Sequence, residues 1–159
     1  MSNWIRRLFV IVSIGGGFAG CAITTDQIFQ SDQSLGFYAV SIVVALAYAA
    51  GIYGGVKLIE DEERGMSFLS WYFVAQIPYL ISPVFSYQFT SGFTAFAAVG
   101  SNGSSWGIFY GGRWMFSLLQ SGDPGFAFGA NFFALWAAWY LRMMLKRKRT
   151  EAESPVPEE

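Results

Sequence analysis

The apolar run Ser67–Tyr87, SFLSWYFVAQIPYLISPVFSY, is long enough to cross a bilayer, and its interpretation decides the fold predicted from the sequence. Pro78 and Pro83 interrupt this run, and Gln76 lies two residues before the first proline. A proline removes a backbone donor and kinks a helix, and lipid cannot replace the lost hydrogen bond. The run therefore predicts a kinked transmembrane helix that is surrounded by other helices.

The composition of the chain favours a polytopic membrane protein. Of the 159 residues, 53% are hydrophobic and only 13% are charged, whereas about a quarter of the residues of a soluble domain are charged. The predicted fold class is an all-α membrane protein, a four-helix transmembrane bundle whose third helix is kinked. Residues 1–145 form this single bundle, with spans at about 4–23, 37–59, 67–87 and 125–145.

Small residues spaced four apart mark two predicted helix-packing stripes. The second span carries Ala47, Gly51 and Gly55, and the last span carries Ala130, Ala134 and Ala138. Such stripes allow two helix backbones to approach closely. They indicate either a dimer interface or packing inside one bundle, in which the second and fourth helices contact each other.

Asn131 is the amide of the last predicted span, and an amide in hydrocarbon requires a hydrogen-bond partner. Gln76 is the candidate partner, although it is expected nearer the middle of the membrane. A water molecule or Ser82 is the alternative.

Residues 93–119 contain two apolar pieces that are too short to span a membrane separately. Their many aromatic residues are typical of the headgroup level, which predicts an interfacial, aromatic-rich segment on the outer side. Whether this segment holds a further span or a re-entrant piece stays open. Arg113 and Trp114 are its candidate contact residues for a lipid phosphate, a carboxylate or a partner. Alternatively, Arg113 pairs with Asp123 or extends to water.

The basic residues predict the orientation of the chain. Arg6, Arg7, Lys57 and Arg64 share one side with the run Lys146, Arg147, Lys148 and Arg149. By the positive-inside rule both termini are cytoplasmic, in a cell inner membrane. The basic run is expected to bind lipid headgroups rather than nucleic acid. It opens a basic juxtamembrane and disordered tail, residues 146–159, while the charged turn Glu60–Arg64 is expected to be solvated.

Cys21 allows two interpretations of the first run. Its basic start, its apolar middle and the segment Phe18-Ala19-Gly20-Cys21 resemble a bacterial lipoprotein signal, in which the cysteine is lipidated. The other interpretation is an uncleaved first helix whose small residues serve close packing.

The residue inventory argues against catalysis. The chain has no histidine and one cysteine, so the common zinc, haem and iron–sulfur ligand sets cannot be assembled from it. No metal, cofactor or enzymatic activity is predicted, and no ionisable side chain marks ion-coupled transport.

We expect a small non-catalytic protein that acts through helix–helix contacts, as an accessory subunit of a membrane complex. Its expected partners are the bilayer and another membrane protein or a second copy. The alternatives are a membrane immunity protein that blocks a toxin from the outer face, a holin-like pore, and transport of a small solute beside the proline-bent helix.

Overall fold

The computed structural model describes residues 1–30, 35–101, 103–118 and 125–153. It contains four helices and one antiparallel sheet of four strands. In chain order the elements are α1 (Asn3–Gln30), α2 (Leu35–Glu60), α3 (Glu62–Ala75), β1 (Pro78–Ile81), β2 (Phe85–Gly100), β3 (Gly103–Leu118), β4 (Ala127–Asn131) and α4 (Phe132–Glu153).

The prediction of an all-α four-helix transmembrane bundle is wrong. The predicted kinked third helix ends at Ala75, and the rest of that run forms β1, a turn and the start of β2. Pro78 is the first residue of β1, where a missing N–H is tolerated, and the residue before a proline is biased away from helical geometry. Pro83 lies in the turn between β1 and β2. The two prolines therefore end a helix and start a sheet instead of bending one helix.

The predicted interfacial segment is also wrong, because residues 93–118 belong to a long hairpin. Strands β2 and β3 pair in continuous register from Phe85 opposite Leu118 to Gly100 opposite Gly103. Gly92 faces Gly111 within this register, and both have positive φ angles, 80° and 144°. Only glycine adopts such angles at little cost, so these two residues let the hairpin bend at its middle.

The bend lets the sheet curl into a half-barrel. The strand order is β1-β4-β2-β3, and β1 also pairs with the first part of β2 through Tyr79 opposite Gln88. Strand β4 pairs with β1 and with the last part of β2, where Asn131 lies opposite Phe96. The predicted fourth span is therefore part strand and part helix, since α4 begins only at Phe132.

Helices α1 and α2 are the two helices in the described ranges that are long and apolar enough to cross a membrane. This finding replaces the four spans and the polytopic class expected from composition. The two helices pack on each other through glycines: a Cβ on Gly20 would overlap the ring of Tyr48, and one on Gly55 would touch Ile14.

Helix α1 also lies directly on the β2–β3 hairpin. A Cβ on Gly16 would overlap the backbone of Gly92, and a Cβ on Gly112 would overlap the backbone of Gly20. The hydroxyl of Tyr48 donates to the carbonyl of Thr90 at 3.2 Å, which joins α2 to the same hairpin. Aromatic and aliphatic side chains such as Phe9, Phe73 and Leu141 fill the space between the helices.

Candidate functional site

Two buried amides replace strand pairing along one edge of β2. On that edge β1 pairs with residues 87–88 and β4 pairs with residues 96–100, so the segment between them has no strand neighbour there. Gln76 Oε1 accepts a hydrogen bond from Ser91 N–H at 2.9 Å, and Asn131 Oδ1 accepts one from Ala95 N–H at 3.4 Å. Both side chains are at least 98% buried. They satisfy backbone donors that have no strand neighbour on that side.

Asn131 also starts α4. Its Oδ1 accepts from Ala134 N–H at 3.3 Å, as expected of an N-cap residue, and its own N–H donates to the carbonyl of Ile77 at 2.8 Å. One residue thus connects the end of β4, the start of α4 and the segment before β1. We call Gln76, Asn131 and the β2 segment they contact the polar seam.

The polar seam brings together the two amides that the sequence suggested as partners. Each contacts the backbone of β2, and the other atom of each amide, Gln76 Nε2 and Asn131 Nδ2, is buried without a hydrogen-bond partner in the described part of the chain. The hydroxyls of Ser91 and Thr94 are buried in the same way. Ser82, the alternative partner, contacts the backbone of Phe85 in the β1–β2 turn instead.

An apolar groove of about 590 Å³ runs between α2 and the β2–β3 hairpin. Small side chains of α2 form one wall, and aromatic side chains of the hairpin form the other. Tyr72 of α3 also borders the groove. The residues that line it include Ala39, Val43, Ala47, Phe89, Trp114 and Phe116.

Two polar atoms beside this apolar groove lack partners. Trp114 Nε1 and the Tyr72 hydroxyl are buried without a hydrogen-bond partner among the described residues. Tyr72 is 8% exposed, and its hydroxyl lies close to the α2 backbone at Gly51. Burial raises the pKa of Tyr72, and proximity to the Ser91 side chain offsets only part of that rise. The hydroxyl therefore keeps its proton, and the neighbouring Ser91 side chain is an acceptor within its reach.

The predicted helix-packing residues divide between several contacts. Ala47 lines the groove, Gly51 approaches Tyr72, and Gly55 approaches α1. Ala130 lies in β4 opposite Pro78, whereas Ala134 and Ala138 are buried on α4. Helix α3 packs against both α2 and α4, so the two stripes serve different neighbours.

Ion pairs join the start of α1, the start of α3 and the end of α4. Glu62 contacts the Met1 ammonium at 3.4 Å and Lys148 Nζ at 2.5 Å, and Arg149 contacts Glu63 at 3.5 Å. Burial alone would raise the pKa of Glu62, but the contacts with Lys148 and the Met1 ammonium outweigh it and lower the pKa. We call this cluster the charged end.

The predicted headgroup-binding run therefore has two kinds of members. Lys148 and Arg149 pair with carboxylates, and Lys146 and Arg147 are exposed. The basic run is part of α4, which continues to Glu153. Residues 154–159 of the predicted tail lie outside the described ranges.

Arg113 is exposed on β3, and its carbonyl accepts from Thr90 Oγ1 at 3.3 Å. Asp123, its suggested ion-pair partner, lies outside the described residues. Cys21 lies within α1, and its thiol points to the carbonyl of Ala45 on α2 at 3.7 Å.

Sequence reasoning missed the contributions of Tyr72 and of the β2 hydroxyls. The available signal was the alternation of Phe85, Tyr87 and Phe89 with Ser86, Gln88 and Thr90, which has the two-residue period of a strand. Such a pattern would have placed the polar side chains on one face of a sheet.

The chain matches no protein-family model, no curated protein and no solved structure. Its function is therefore argued from its own side chains.

Proposed function

We propose that the protein is a non-catalytic accessory protein that the α1–α2 helical hairpin anchors in a cell inner membrane, with both termini on the cytoplasmic side. The observation that carries this proposal is the outer face of α2. Ile42, Val43 and Leu46 are each more than half exposed, and the helix carries no charge before Lys57. An apolar face of this extent is unfavourable in water and favourable in hydrocarbon.

The charged end supports the proposed orientation. Because Glu62 contacts both the Met1 ammonium and Lys148, the start of α1 and the basic part of α4 lie together. Lys57 and Arg64 flank the α2–α3 junction at the same end. A concentration of basic residues at one end of a pair of apolar helices favours the cytoplasmic side for that end.

The free edge of β3 supports an accessory role through protein contacts. In the described part of the sheet β3 pairs with β2 alone, so its other edge has no strand neighbour. Beside that edge Trp106 and Ile108 are 81% and 66% exposed, and Arg113 is the only charged residue of the strand. Such an edge is a template for strand addition by another chain.

Membrane extraction of a charge variant tests the anchor. Leu46→Arg places a charge near the middle of the exposed face of α2, where insertion costs about 2.5–3.5 kcal/mol. We expect the unmodified protein to stay in the pellet after alkaline carbonate treatment and Leu46→Arg to shift into the soluble or degraded fraction.

The matched control is Ile59→Arg, which adds the same charge next to Lys57 at the end of α2. That variant is expected to remain in the membrane, because a charge at a helix end reaches the headgroups. Complete release of the unmodified protein by carbonate would overturn the proposed anchor.

A further inference from the structure

We propose that the groove between α2 and the β2–β3 hairpin holds one acyl chain of a phospholipid, with Trp114 as a donor to its ester carbonyl. This inference rests on the proposed membrane anchor, since a bilayer supplies the chain.

The lining of the groove selects an apolar chain. Its volume of about 590 Å³ lies within the range of small-molecule sites, about 300–1,000 Å³. The α2 wall consists of alanines and valines, and the hairpin wall presents Phe89 and Phe116. Carbon atoms therefore meet most of an occupant's surface, and the small side chains of α2 leave room for it.

The groove also opens toward the surface where lipid is expected. Val43 lines the groove and is 65% exposed, so it lies at the rim between the groove and the outer face of α2. A chain from the surrounding bilayer reaches the groove past this residue without any separate entrance.

The charges of the lining favour a phospholipid over a free fatty acid. No lysine or arginine lines the described groove, and Arg113, next to Trp114, is exposed outside it. A free carboxylate would lose its hydration without gaining a counter-charge. An ester carbonyl is neutral and needs only a hydrogen-bond donor.

Trp114 supplies such a donor. Its Nε1 is buried at the groove without a hydrogen-bond partner in the described ranges, and its ring contacts Phe37 near the start of α2. A buried donor without an acceptor is unfavourable, and a carbonyl oxygen at the groove removes that cost. This donor distinguishes the site from an ordinary lipid-facing surface.

Photo-crosslinking in vesicles tests the inference. The full chain is reconstituted in phosphatidylcholine vesicles that contain a small fraction of phosphatidylcholine with a diazirine on one acyl chain. After illumination, labelled peptides are mapped by mass spectrometry. We expect label on the hairpin peptide that contains Trp114–Phe116 and on the outer face of α2.

Ala47→Phe fills the groove, and Leu46→Phe adds the same side chain on the exposed face one residue away. The expected result is about a ten-fold loss of hairpin label in Ala47→Phe, the change that corresponds to 1.4 kcal/mol, and little change in Leu46→Phe. Trp114→Phe, which removes the donor, is expected to lower hairpin label while circular dichroism stays unchanged. It keeps the test valid where Ala47→Phe does not fold.

The outcomes separate the inference from the anchor. Label on the outer face of α2 without label on the hairpin overturns the acyl-chain site and leaves the anchor intact. Equal hairpin label in Ala47→Phe and Leu46→Phe overturns the site as well. A diazirine fatty acid that labels the hairpin better than the phospholipid overturns the choice of ligand. Absence of label on every peptide, including α2, overturns the proposed anchor.

Discussion

The polar seam and the charged end both join separate segments of the chain through polar side chains. The seam does so with neutral amides, and the charged end does so with ion pairs. The seam uses the neutral amides of Gln76 and Asn131, at least 98% buried, to satisfy backbone donors of β2. The charged end uses full charges around Glu62, where the side chain of Lys148 is 37% exposed. In the interior, where burial of a charge is costly, neutral amides make the hydrogen bonds. The charged side chains pair at the end of the molecule that is open to water.

The largest expected effect is at Asn131. Asn131→Leu removes the acceptor for both Ala95 N–H and Ala134 N–H, so the free energy of unfolding should fall by about 2–4 kcal/mol. Thermal unfolding in one detergent measures the change. Asn131→Ser is the control, since serine caps α4 but is too short to reach β2, and its loss should be smaller. Equal stability of Asn131→Leu and the unmodified protein would show that the seam is not structural.

A smaller effect is expected at Gln76. Gln76→Leu leaves Ser91 N–H without an acceptor, which costs about 1–3 kcal/mol. Hydrogen exchange should be faster at the Ser91 amide. Little change is expected in the half of the hairpin where Phe85 pairs with Leu118, because β2 stays paired with β3 there. Ser105→Ala, at an exposed residue of β3, serves as the control. Unchanged protection of Ser91 in Gln76→Leu would argue against the replacement of strand pairing by an amide.

The smallest effect is expected at the charged end, and it depends on pH. The pKa of Glu62 is lower in the folded state than in the unfolded state. Its ion pairs therefore stabilise the fold above the unfolded pKa of about 4.3, and this stabilisation is lost as pH falls through the folded pKa. Partly exposed pairs of this kind contribute about 0.2–1 kcal/mol. Unfolding followed from pH 7 to pH 3 should show this loss, and Glu62→Gln should remove it. The amides of the seam should add no pH dependence to the free energy of unfolding. A pH dependence that remains in Glu62→Gln would have to come from other groups.

Local sequence patterns predicted the first two helices because their residues contain neither proline nor a charge in the middle. Helix α2 covers the whole of the predicted 37–59 span, and α1 extends beyond the predicted 4–23 span to Gln30. In Ser67–Tyr87 the apolar length favours a membrane helix, whereas the two-residue alternation after Pro83 indicates a strand. The prediction of a helix rested on the length, and for the part of this run after Ala75 it is wrong.

The candidate site was only partly accessible from sequence. The sequence identifies Gln76 and Asn131 as amides that need hydrogen-bond partners, because both lie within apolar runs. Their partners are the backbone N–H groups of Ser91 and Ala95 in β2. The two amides reach these groups only when β1 and β4 pair with opposite ends of β2. Pairing between segments so far apart in sequence is not encoded in any local period. The groove depends on the same long-range arrangement.

The backbone contacts of α1 with the hairpin have a consequence for synthesis of the chain. Gly16 and Gly20 emerge from the ribosome well before Gly92 and Gly112, against which they lie in the finished fold. At a synthesis rate of roughly 5–20 residues per second, the glycines of the hairpin follow those of α1 on the order of seconds later. During that interval the face of α1 that carries Gly16 and Gly20 lacks the backbone against which it packs in the finished fold. A chain truncated after α3 would thus contain α1 and α2 without the hairpin surface that α1 contacts.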